Sequence, residues 1–162
     1  MDKLLERLVN VAILVAAVCL VVLVTHTLVQ RHETAAANQP LLHKGDTLSL
    51  GGGASAPVLL LALQTGCHFC KESMPFYERL SRDAQAGHAH LVFGFPQAAS
   101  DGAAYLKANG VEAGDVREVN FDKVEVRGTP TLVLLDAGGR VQNYWIGKLP
   151  AEKEAEVEAA IR

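Results

Sequence analysis

The chain has 162 residues, room for one domain and an appendage, with a formal net charge of −3. It carries no basic cluster and no interleaved aromatics, so no nucleic-acid partner is expected. Hydrophobic residues make up 49% of the chain and mean hydropathy is +0.16, high for a soluble domain, with much of the excess at the N-terminus. Three cysteines are too few, and too closely paired, for a secreted disulfide scaffold.

Residues 8–24 read LVNVAILVAAVCLVVLV, with only Asn10 polar. As a helix this run is roughly 26 Å long, and TLV at 27–29 carries it past the ~30 Å of a hydrocarbon core. The rival is a cleaved signal peptide. The small-residue triplet Ala35-Ala36-Ala37 lies well beyond the apolar run, which is itself longer than a usual signal core, so an uncleaved anchor is expected. Cys19, preceded by branched Val18 and followed by apolar residues, reads as an inert thiol rather than a lipid-attachment site. Lys3 and Arg7 precede the span, with Arg31 after it and Lys44 further on. This asymmetry favours a cytoplasmic N-terminus and an external C-terminal part. The expected organisation is an anchor over residues 1–29, a tether over 30–44 and an α/β domain over 45–162.

Within that domain, GDTLSL (45–50) alternates like a short strand, and Gly51-Gly52-Gly53 breaks the chain. PVLLLALQ (57–64) is a continuous apolar run of strand length, which predicts a central strand buried on both faces. From Phe69, apolar residues recur at helical spacing (Cys70, Met74, Tyr77, Leu80), with Pro75 expected to kink the helix. HLVFGF (90–95) predicts a second strand, DGAAYLKANG (101–110) a helix ended by Gly110, and VREVN (116–120) a third strand. TLVLLDAGGRVQNYWIG (131–147) predicts a hairpin turning at Asp136-Ala137-Gly138-Gly139. Residues 151–162, opened by Pro150 and acidic in their first turn, predict a terminal helix. The order β-α-β-α-β, hairpin, helix points to an α/β sheet with parallel and antiparallel parts.

The stretch QTGCHFCKESMPF (64–76) holds two cysteines at CxxC spacing, Cys67 and Cys70, at the junction of strand and helix. Such a pair can be redox-active, a structural staple or half of a metal site. A structural zinc needs about four ligands, and His88 and His90 are the only other closely spaced candidates. A helix start lowers a thiol's pKa through its free N–H groups and macrodipole. His68 and Lys71 add positive charge beside Cys67, and Glu72 opposes it. In a redox reading Cys67 is the nucleophile, and Cys70, on the same helix side and more buried, resolves the mixed disulfide.

A strand, CxxC and a helix with a proline eight residues after the first cysteine resembles the thioredoxin superfamily. Arg127-Gly128-Thr129-Pro130-Thr131, followed by LVLLD, is similar to that superfamily's second signature, and Gly147 after the last strand also fits. The resemblance covers residues 45–162 and implies a thioredoxin-like fold, a central mixed sheet flanked by helices. It implies a cis Thr129–Pro130 bond, with Pro130 packing on a Cys67–Cys70 disulfide and the Thr129 backbone pairing with substrate. It also implies tuning by His68 and Phe69. With the N-terminal span, the resemblance is to membrane-tethered TlpA/ResA-like thiol–disulfide oxidoreductases of bacterial envelopes.

Three positions depart from the family pattern: Gly66 stands where a Trp is usual, Leu61 replaces a buried Asp, and Ser73 replaces a Glu displaced to Glu72. Glu72 is therefore the candidate for proton transfer.

The function implied is reduction of disulfides in cysteine-containing exported proteins, with electrons from a membrane thiol carrier and lipid contact through residues 8–29. The expected location is the bacterial inner membrane, with the domain periplasmic. No Gly-rich phosphate loop and no flavin or nicotinamide fingerprint is present, so neither cofactor nor metal is expected. The alternatives are a disulfide oxidase or isomerase, and a non-catalytic thioredoxin-fold assembly or metal-binding module.

Overall fold

The strand β1, Val58–Ala62, is buried along its whole length. It pairs on one side with β2, His90–Phe95, and on the other with β4, Thr131–Leu135, so both its backbone edges are taken. The computed structural model describes residues 18–21, 42–50, 56–86 and 89–162. The remaining elements are β3 (Val116–Glu118), β5 (Val141–Ile146), α1 (His68–Glu72), α2 (Met74–Ala86), α3 (Ala99–Ala108) and α4 (Ala151–Ala160). The strands form one five-stranded sheet in the order β3-β2-β1-β4-β5. β1 and β3 run parallel to β2, whereas β4 is antiparallel to both β1 and β5. This is the expected mixed α/β sheet, and β2 spans the residues expected of it.

Because side chains alternate along a strand, β1 feeds two cores. Leu59 and Leu61 join a cluster with Cys70, Met74, Tyr77, Leu106 and Val157, which come from α1, α2, α3 and α4. Leu60 and Ala62 face the other way, into a cluster with Val92, Val133, Leu42, Leu48, Val124 and Val126. The second face is covered by residues 42–50 and the loop after β3 rather than by a helix. The expected strand at 45–50 is therefore replaced by a covering segment. It makes one bridge, Thr47 to Arg140, beside hydrogen bonds from Gly45 N to Val141 O (2.8 Å) and Leu48 N to Gly139 O (2.9 Å). Alternation there serves to drop Leu48 into the core, not to extend the sheet. Pro40–Arg162 forms one compact unit, and its second cluster includes Leu42.

The end of α3 follows from Gly110. Its φ of +82° lets Val111 N bond Leu106 O (3.0 Å) and Gly110 N bond Lys107 O (3.1 Å), closing two carbonyls the helix would leave open. The helix starts at Ala99, two residues before the expected start. Gly102 within it is required by contact: a Cβ there would lie 2.5 Å from the buried Phe95 ring.

At the start of β3, Arg117 donates to Asp115 from Nε (2.9 Å) and Nη2 (2.6 Å), and His90 Nε2 lies 2.7 Å from the same carboxylate. The Arg117 hydrogen bond, then that of His90, holds the Asp115 carboxyl below its usual range although partial burial pushes the other way. A carboxyl whose folded pKa is depressed stabilises the fold above its unfolded pKa, near 4, and loses that contribution as pH falls through the folded value. Asp115→Asn is accordingly expected to cost about 1–2 kcal/mol at neutral pH and to flatten the loss of stability below about pH 4, read from urea midpoints across pH.

The expected span at residues 8–29 and tether at 30–44 lie largely outside the described residues. Residues 18–21 are helical, and among the described residues no helix is long and apolar enough to cross a membrane.

Candidate active site

Beyond β1 the chain makes a last ladder bond, Leu63 N to Gly94 O (2.8 Å), and then turns through Thr65 and Gly66. Gly66 has φ +82°, a left-handed backbone that a tryptophan would adopt only with strain, which accounts locally for the missing aromatic. Cys67 follows as the N-cap of α1, with extended dihedrals. Its Sγ accepts the Cys70 backbone N–H at 3.1 Å, and its carbonyl accepts Lys71 N–H at 3.1 Å. The sulfur thus occupies the position of a Ser or Asp oxygen at a helix start, receiving an N–H that favours negative charge.

Cys67 and Cys70 are joined as a disulfide with Cα atoms 5.2 Å apart. Cys70 is 0% exposed, whereas Cys67 is only partly buried, so an approaching sulfur meets Cys67 first.

The expected kinked helix is two helices. α1 stops at Glu72, and Ser73 forms the joint: its N–H bonds Phe69 O and Cys70 O (both 3.2 Å), and its Oγ bonds Phe69 O (2.8 Å). Its own carbonyl accepts Phe76 N–H and Tyr77 N–H, which starts α2. Pro75 therefore lies in the first turn of a new helix, where a missing N–H costs nothing, rather than inside a continuous one.

The opposite wall comes from the start of β4. Thr129–Pro130 is cis, as the resemblance implied. The register Ala62 to Thr131 brings this loop beside the end of β1, and Thr129 O lies 3.4 Å from Cys67 Sγ. In the disulfide this is a contact; in the dithiol the Cys67 S–H can donate to that carbonyl. Thr131 Oγ1 to Gly128 O and Gly147 N to Pro130 O, both 2.7 Å, brace the loop from either side.

His68 and Phe69 are both exposed, Phe69 at 53%, with ring centroids 5.6 Å apart. Both Glu72 oxygens have partners: Oε1 lies 3.1 Å from His68 Nε2, and Oε2 accepts from Lys148 Nζ at 2.9 Å. The Lys148 hydrogen bond leads in holding the Glu72 carboxyl below its usual range. That shift runs opposite to the one a proton acceptor working near neutrality requires. Leu61 is 0% exposed among apolar neighbours. Trp145 is buried, with Nε1 donating to Glu156 (3.1 Å), and Tyr144 packs against the second core, so both are structural. Among the described residues no three His, Cys, Asp or Glu side chains are grouped to hold a metal ion. Lys148 carries no sequence signal, since only the fold brings it to Glu72, 76 positions earlier.

On a sheet of this order, a cysteine pair capping the helix after the central strand and walled by a cis-proline makes the domain thioredoxin-like, in the class of thiol–disulfide oxidoreductases. Its solved structural neighbours include proteins described as thiol:disulfide interchange proteins, disulfide isomerases and a thiol-disulfide oxidoreductase. A protein from Chlorobium tepidum described as a DsbE-type thiol:disulfide interchange protein is 26% identical, with a TM-score of 0.59 over 74% of this chain and 96% of that one. StoA from Bacillus subtilis is 17% identical, with a TM-score of 0.52 over 73% of this chain and 96% of its own. The thioredoxin domain of a thiol-disulfide oxidoreductase from Bacteroides vulgatus is 15% identical, with a TM-score of 0.56 over 75% and 99%. No family model matches the chain, and no curated protein does.

Proposed function

We propose that the chain is a membrane-anchored reductase of protein disulfides, held by residues 8–29 in a bacterial inner membrane with its thioredoxin-like domain in the periplasm. The observation that carries this reading is the contrast within one disulfide. Cys67 is reachable and takes a helix-start N–H, while Cys70 is sealed beneath it. The DsbE-type name of the Chlorobium tepidum neighbour supports the same class of chemistry.

In the reduced protein the Cys67 thiolate attacks one sulfur of a partner disulfide. The partner S–S bond breaks, a Cys67–partner disulfide forms, and the leaving thiolate takes a proton. Cys70, deprotonated, then attacks Cys67 Sγ, which restores the Cys67–Cys70 disulfide and releases the partner as a dithiol. Two electrons have passed to the partner, an exported protein with cysteines, and a dithiol carrier in the membrane must return them. Thr129 and Pro130 form the wall along which the partner chain lies, and His68 and Phe69 border the exposed sulfur.

The deciding measurement is the reduction potential of the Cys67–Cys70 pair, equilibrated against defined glutathione and dithiothreitol buffers. A value near about −270 mV is expected of a reductase, and one near about −120 mV would overturn that direction in favour of an oxidase.

A further inference from the structure

Lys148 joins the two walls of the site. It follows Gly147, whose N–H is bonded to Pro130 O at 2.7 Å, and its Nζ reaches 2.9 Å to Glu72 at the end of the cysteine-bearing helix. Glu72 in turn lies 3.1 Å from His68, the neighbour of Cys67. One carboxylate oxygen thus faces the His68 ring and the other takes the fixed positive charge of Lys148.

We propose that Lys148 is a positioning residue of the dithiol site, neutralising Glu72 so that no uncompensated negative charge on α1 opposes the thiolate of Cys67. The proposal rests on the oxidoreductase reading and extends it to a residue outside both sequence signatures. Without a cation, a carboxylate on this helix would work against the N–H that Cys70 offers the sulfur. The five residues from Cys67 to Glu72 span about 7–8 Å of helix axis, inside the ~10 Å screening length of 0.1 M salt. One unit charge at that range, screened as in water because all three side chains are partly exposed, moves a thiol's titration by about 0.4 pH units at low salt and about 0.2 in 0.1 M salt. Of the other charged or polar groups, the Cys70 N–H is bonded to the sulfur, His68 is its sequence neighbour, Lys71 lies on the same helix and Arg127 precedes the facing Thr129. Lys71, Arg127 and the Cys70 N–H are common to every variant below; His68 touches Glu72, so its effect cancels only between variants that share residue 72, wild type with Lys148→Met and Glu72→Gln with the double variant.

The test is the pH profile of iodoacetamide labelling of Cys67 in the reduced full-length protein, read by peptide mass so that Cys19 and Cys70 do not contribute. Lys148→Met is expected to move the Cys67 profile upward by about 0.2–0.4 pH units at low to moderate salt, Glu72→Gln downward by a similar shift, and Lys148→Arg not at all. The double variant Lys148→Met/Glu72→Gln is expected to return to wild type, and the single-variant shifts should shrink in high salt. If Lys148 were only a mechanical strap, both single variants would move the same way and the double variant would stay with them; that result, or an unmoved Lys148→Met profile, overturns the proposal. A wild-type protein that labels normally yet fails to reduce a protein disulfide would instead sink the oxidoreductase reading and leave these shifts standing.

Discussion

Replacing Cys70 with Ser is expected to abolish dithiol turnover, by at least about a thousandfold, while leaving Cys67 able to attack. Cys70 is fully buried and three residues from Cys67, with its backbone N–H already on the Cys67 sulfur. Cys70 is the only other cysteine of the compact unit Pro40–Arg162. The Cys70→Ser protein should therefore accumulate mixed disulfides through Cys67, visible as thiol-reversible adducts on non-reducing gels, and Cys67→Ser should accumulate none. Equal trapping by both variants would show that the reachable sulfur is not the nucleophile.

Leu61→Ala is expected to remove about 2–5 kcal/mol of stability, a large share of the 5–15 kcal/mol typical of a whole domain. Leu61 is 0% exposed near the C-terminal end of β1, opposite Phe93 on one neighbour and Leu132 on the other, and it packs in the cluster that holds Cys70. Its two strand neighbours are themselves paired, so the sheet cannot close around the void. The denaturant midpoint should fall sharply with the slope unchanged. Ile146→Ala, at a position 40% exposed on the edge strand, should change the midpoint by less than about 0.5 kcal/mol. A Leu61→Ala loss no larger than that would mean that this face of the sheet repacks freely.

Much of this was legible in sequence because it depends on neighbours along the chain. A run such as VLLLA has no polar face to offer water, so it had to become a strand covered on both sides. The CxxC pair at the end of that run had to sit at a helix start, and Gly110 had to close α3. Where reading along the chain failed, two meanings shared one pattern. GDTLSL alternates whether it joins a sheet or lies over one. A proline eight residues past a cysteine can kink one helix or begin another, and the hydrogen bonds of Ser73 decided for the second.

The candidate site divides in the same way. Cys67, Cys70 and the proline at 130 are recognisable from local residue types, since thiol chemistry and turn geometry need those atoms at those spacings. That Cys70 is the more buried sulfur was expected from its place on the helix; that Thr129 O faces the Cys67 sulfur and that Lys148 reaches Glu72 were decided only when β4 paired with β1 and β5 with β4. The Cys67–Thr129 and Glu72–Lys148 contacts join residues more than sixty positions apart, and no local preference of either partner encodes the distance between them.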